Sequence, residues 1–181
     1  MKKNLLLVLL GCYIFISCDE RKTTDIVPAV VPTVLKTDLI SRKWSIAENY
    51  MDVDSKKTVL YGVGAVNNPN LSNDFTPNDY FLFMKDGKME TYSDSDKTTA
   101  KGTWKLINVE TQLQFSIDGQ DFTMDIITLT DKDVDIAQKI VIANLANETQ
   151  TGKNIVLLAG IGQLADKTSK IVKFGFKLKA K

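Results

Sequence analysis

Between Asp79 and Thr130 the chain repeats one local event: a short apolar–polar alternation, then a few residues suited to reversing direction. The reversals fall at Asp86-Gly87, at Asn108 to Thr111 and at Asp118-Gly119. Asp-Gly between alternating hydrophobics is the strongest short-range hairpin signal, because a type I′ turn needs positive φ at both central residues. Four or five consecutive strands therefore read as an antiparallel meander. Few architectures other than all-β accept such a run.

The flanking segments extend the pattern. Asp38 to Ser41 reads as a helical turn, and Arg42 to Tyr50 as a strand with Trp44, Ile46 and Glu48 on one face. After a turn at Asp52 to Ser55, Lys56 to Val63 reads as a second strand. Asn67 to Asn78 is a long turn-rich loop with two prolines, where a binding edge is expected. Asp133 to Asn144 predicts one long strand or a pair, followed by a turn near Gly152, and the apolar run Asn154 to Ile161 predicts another strand. The bare Gly-x-Gly pairs at Gly62 and Gly160 read as bulges or close strand approaches. Ser169 to Lys179 closes the chain, with Val172, Phe174, Phe176 and Leu178 facing in and Lys173, Lys177 and Lys179 facing water. With no helix beyond a turn or two, eight to ten hairpin-linked strands over residues 38–181 predict an all-β fold, an antiparallel up-and-down barrel or a sandwich.

The N-terminus has another character. Lys2-Lys3 and the apolar run Leu5 to Ile16 have the charged and hydrophobic regions of a secretory signal. The run is short of the about 20 apolar residues that span a bilayer. Ser17-Cys18 followed by Asp19-Glu20 resembles a bacterial lipoprotein signal, which implies removal of residues 1–17 and lipidation of Cys18. Leu9-Leu10-Gly11-Cys12 offers a competing site at Cys12. A diacylglyceryl group plus an N-acyl chain exceeds the two hydrophobic signals that stable anchoring requires. From Cys18 to Thr37, Pro28 and Pro32 interrupt any period, and the segment reads as a tether; an edge strand over Ile26 to Val34 is the other reading.

Leu39 and Trp44, the Phe81-Leu82-Phe83 and Asp86-Gly87 hairpin, and Gly102 to Leu106 followed by Leu113 to Phe115 resemble the lipocalin-like domains of Bacteroidota lipoproteins. The likeness covers Leu39 to Lys179. It implies an eight-stranded barrel with Trp44 plugging one end, in an outer-membrane lipoprotein facing the periplasm or the cell surface. Arg42 stands where that family has glycine, and no late arginine is present to stack on the tryptophan, so Lys173 or Lys177 would serve.

Composition narrows the chemistry. The chain has no histidine, which removes the commonest general base and metal ligand, and its two cysteines, Cys12 and Cys18, both lie in the leader region. A formal charge of +1 gives nucleic acid no electrostatic footprint. Asp131, Asp133 and Asp135 have the first spacings of a calcium loop, but Ile136 and Ile142 occupy the positions that need glycine and glutamate. Asp94 to Asp96 reads as a solvated connector. No catalytic residues, metal site or cofactor are expected. Trp44, Phe83, Trp104, Phe115, Phe174 and Phe176 are the candidates to line the barrel interior, where they either pack solid or surround one small apolar molecule. The expectation is a non-enzymatic, membrane-anchored binding module; the alternative is a filled barrel that meets another envelope protein or a glycan, and a third reading is a carboxylate-dependent hydrolase whose two acids converge from distant strands.

Overall fold

The computed structural model describes residues 34–71 and 75–181. The leader, Cys12, Cys18 and nearly all of the tether lie outside the described residues, as does part of the Asn67 to Asn78 loop. Among the described residues, nine strands form one antiparallel sheet: β1 (Lys43–Val53), β2 (Lys56–Tyr61), β3 (Tyr80–Phe83), β4 (Lys88–Ser93), β5 (Thr98–Ile107), β6 (Gln112–Ile117), β7 (Gln120–Leu129), β8 (Asp133–Val141) and β9 (Ile171–Ala180). A short helix, α1 (Lys36–Ile40), precedes β1, and a second, α2 (Gln150–Ile161), lies between β8 and β9.

The sheet closes where β1 meets β9, paired from Trp44 with Ala180 to Val53 with Val172. β2 and β3 share the other flank of β1: β3 pairs with Lys43 to Ser45, and β2 with Asn49 to Val53. Eight strands, β1 and β3 to β9, thus form a closed barrel, and β2 extends its wall past the end of β3.

Turn chemistry sets the registers. Asp118 and Gly119 both take positive φ, 49° and 73°, as a two-residue hairpin requires. Asp54 and Ser55 do the same between β1 and β2, at 49° and 73°. Between β3 and β4 only Gly87 is left-handed, at 81°, and the Gly87 N–H returns to the Met84 carbonyl at 3.1 Å. That is a type I turn ending in a glycine bulge, so this Asp-Gly pair makes a longer loop than the I′ hairpin it predicts.

Strand β1 departs from simple alternation. Trp44 and Ile46 point inward, the register slips at Ala47, and then Asn49, Met51 and Val53 point inward. A one-residue bulge exchanges the two faces of everything beyond it. Glu48 therefore lies on the outer wall opposite Lys177, not on the face of Trp44 and Ile46 as alternation predicts. Gly62 passes so close to the bulge that a Cβ there would sit 2.6 Å from the Ala47 carbonyl oxygen.

Two cores result. The lower one, inside the barrel, contains Ile40, Trp44, Phe83, Met89, Trp104, Leu113, Phe115, Met124 and Phe176. The upper one packs Met51, Val53, Leu60, Ile140 and Val172 from the sheet against Ile155 and Ala159 of α2. Asn154 to Ile161 is thus helical, not the apolar strand its composition predicts. Thr149 caps α2, its side chain accepting the Gly152 N–H at 3.1 Å, and the i, i+4 pair Ile155/Ala159 faces the sheet. Gly152, Gly160 and Gly162 belong to this helix and its end, not to a turn or to strand bulges. Before it, Asp133 to Val141 is a single strand that passes into a 3-10 turn.

The lower end of the barrel is sealed by α1. The Trp44 indole N–H donates to the Ile40 carbonyl at 2.8 Å. The Arg42 guanidinium lies 5.7 Å from the Trp44 ring centroid and donates to the Asp131 carbonyl at 2.8 Å. The cation over the tryptophan is thus Arg42, supplied from two residues away. Lys173 and Lys177, the cations expected there, lie on the outer wall, because inward Val172, Phe174, Phe176 and Leu178 fix the alternation of β9. Trp44→Phe removes the indole bond and leaves a small void, and is expected to cost about 2 kcal/mol. A lower urea midpoint at unchanged slope checks it.

Candidate functional site

The upper half of the barrel is built differently. The wall beside β1 changes from β2 to β3, and residues 62–79 between them make a long excursion. Phe75 returns from it into the barrel, packing edge-on against Tyr61 at 5.8 Å and Phe176 at 5.9 Å between ring centroids. Beside it lies a cavity of about 300 Å³. Ile46, Phe75 and Phe81 give it an apolar side, and Asp79, Ser93 and Asp96 a polar one. Thr91, directly opposite Phe81 across the β3–β4 pair, also reaches it.

Local hydrogen bonds fix the polar side. Asp79 is 3% exposed, and its carboxylate accepts the Thr76 N–H at 3.2 Å, the Thr76 hydroxyl at 2.9 Å and the Asp94 N–H at 2.7 Å. These bonds join the end of the excursion to the β4–β5 turn. Asp94 in turn accepts from Lys97 at 2.7 Å, from the Asn78 amide at 3.1 Å and from the Tyr92 hydroxyl at 3.3 Å. Lys97 first, and then Asn78, hold the Asp94 carboxyl below the ordinary range. Burial, helped by the charge of Asp79, pushes the Tyr61 hydroxyl up. Asp94 to Asp96 is therefore part of the framework of the mouth rather than a free connector.

None of the six predicted interior aromatics lines this cavity. Trp44, Phe83, Trp104, Phe115 and Phe176 are buried in the lower core, and Phe174 packs between the two cores. Phe83 meets Trp104 edge-on at 5.6 Å, and Phe115 meets Phe81 at 6.4 Å, so they form the packed floor beneath the opening. The residues that do line it come from a loop, three neighbouring strands and one turn. Only the position of the Asn67 to Asn78 loop signals them in the sequence.

A second concavity, about 360 Å³, lies on the outer wall where β1 and β7 both bulge. Its charged residues largely satisfy one another. Glu48 pairs with Lys57 and, at 3.3 Å, with Lys177, while Lys179 reaches Asp133 at 3.8 Å. The Tyr50 ring lies over Gly175, where a Cβ would meet it at 2.4 Å, and its hydroxyl donates to Asp135 at 2.9 Å. Burial pushes the Asp135 carboxyl up despite that bond. Among the described residues no three acidic or other ligating side chains converge on a metal-sized site.

Together these features define a class: a closed antiparallel barrel, solid and sealed below, with a small amphipathic cavity above. Comparison with known proteins yields no matching family model, curated protein or solved structure.

Burial alone would raise the Glu48 carboxyl, but the hydrogen bonds and charges of Lys57 and Lys177 outweigh it and hold it low. A depressed carboxyl contributes stability above its unfolded value and loses it as pH falls through the folded value. Glu48→Gln is expected to cost about 0.5–1 kcal/mol at pH 7. The gap from the parent should close as denaturation is repeated at pH values descending through the carboxylate range.

Proposed function

We propose that this chain is a lipid-anchored protein of the bacterial outer membrane whose lipocalin-like barrel binds one small apolar molecule at its upper mouth, without catalysing a reaction. The observation that carries this reading is the contrast within one barrel. Its lower half is filled with buried aromatic and aliphatic side chains, whereas its upper half leaves about 300 Å³ beside Phe75 and Phe81. That volume is at the lower end of the about 300–1,000 Å³ range of small-molecule sites. An apolar wall with a few fixed polar groups is the usual design of such sites. The anchor rests on the sequence around Cys18, followed by a tether that joins the barrel just before α1.

The alternative, an accessory protein that meets another envelope protein or a glycan through its surface, draws on the outer-wall concavity and on Val63 beside it, 97% exposed. The self-paired charges there make it the second choice.

Titration of the full chain in lipid nanodiscs with N-phenyl-1-naphthylamine, against empty discs, tests the binding reading. Saturable emission at one probe per chain is expected. Thr91→Trp, which fills the cavity from the strand opposite Phe81, should abolish it while leaving the unfolding free energy from urea denaturation within about 3 kcal/mol of the parent. Probe binding that never saturates, or that survives Thr91→Trp, overturns the reading. Mass spectrometry of the N-terminal peptide tests the anchor separately: a triacylated Cys18 is expected, and an acylated Cys12 or a free Cys18 rejects it.

A further inference from the structure

The charges around the mouth select among apolar ligands. Both charged residues that line the cavity, Asp79 and Asp96, are carboxylates. Asp79 is held by two backbone N–H groups and a hydroxyl, all neutral donors. Among the described residues no lysine or arginine forms an ion pair with it. Lys97 of the neighbouring turn is tied to Asp94 at 2.7 Å, and Lys43 lies 3.6 Å from the Tyr80 ring centroid on the outer wall. Asp96 accepts the Ser93 hydroxyl at 3.2 Å, and its residue is exposed at the rim. The opposite side is aromatic, with Phe75 and Phe81 presenting rings to the same space. Faces of aromatic rings attract cations, and they do so more strongly away from water. Both halves of the cavity therefore favour the same sign of charge.

Resting on the proposed mouth site, we infer that its ligand is a protonated amine with an apolar body, the ammonium lying between Asp96 and Asp79 and the body against Phe75 and Phe81. A carboxylate of the same shape would bring a third negative charge to a rim that has no free cation to receive it, and is turned away. A neutral alcohol falls between the two.

Three compounds with one apolar body separate the possibilities: 4-phenylbutylamine, 4-phenylbutanol and 4-phenylbutanoate. Each is used to displace N-phenyl-1-naphthylamine from the full chain in nanodiscs of zwitterionic lipid at pH 7 and low salt. The amine is expected to bind about tenfold more tightly than the alcohol, and the acid at least about tenfold more weakly than the alcohol. Asp96→Lys places a cation at an exposed rim position and does not disturb a packed residue. It should erase the preference for the amine over the alcohol and improve the acid relative to the alcohol by about tenfold. Raising the salt should shrink the spread among the three in the parent protein. Equal affinities for all three, or an Asp96→Lys effect that is the same on each, overturns the inference while the mouth site stands. Displacement by none of the three, together with no saturable probe binding, overturns both.

Discussion

The structure depends on one strand serving two interiors. β1 pairs with β9 over its whole length, and that seam closes the barrel. With strict alternation, a strand of 11 residues would give Trp44, Ile46 and every second residue beyond them to the same face. The bulge at Ala47 changes this. Below it, Trp44 and Ile46 face the barrel core; above it, Met51 and Val53 face the core under α2. The exchange also turns Glu48 and Tyr50 outward, where Lys57, Lys177 and Asp135 receive them. Gly62 and Gly175 are accommodations to the same event, one against the bulged carbonyl and the other under the Tyr50 ring.

The cavity follows from how the neighbouring wall is made. An uninterrupted second strand would carry side chains at every level of the barrel and fill it, as the strands below do. Here the wall breaks between Tyr61 and Tyr80, and the intervening segment supplies Phe75 from a loop. A loop residue fills space less completely than a strand ladder, and it brings backbone polar groups that need partners. The Asp79 carboxylate receives one of them, the Thr76 N–H, together with the Asp94 N–H of the facing turn, which is why a carboxylate is buried at the edge of an apolar opening. The polar side of the cavity is thus a consequence of ending the excursion there.

Periodicity conveys the all-β class, the meander and the lysine-outward face of β9, because each depends on neighbours in the chain. Asp118-Gly119 fixes its hairpin for the same reason. The misread elements are those decided at long range. An eight-residue apolar run cannot be assigned to strand or helix by composition. Asn154 to Ile161 becomes helical because Thr149 caps it and because the upper sheet needs a cover for Met51 and Ile140. Glu48 faces outward because of a bulge for which Ala47 gives no local signal. The mouth is the least legible part, since Ile46, Phe75, Asp79, Phe81, Thr91 and Asp96 are brought together by the pairing of β3 with both β1 and β4 and by the return of the loop at Phe75.

Strand direction also separates two tasks. The chain enters at α1, and β1 rises from the sealed end, so the turns at Met84 to Gly87, Asn108 to Thr111 and Thr130 to Lys132 all lie at that lower end. The mouth, with the Ser93 to Asp96 turn, lies at the other. The helix α1, which leads into β1, therefore lies at the end that Trp44 and Arg42 close, opposite the opening beside Phe75. The indole bond to Ile40 and the guanidinium above it tie α1 to the sealed end. The few residues at the other end, where the wall is broken, leave the opening and give its rim the carboxylates of Asp79 and Asp96.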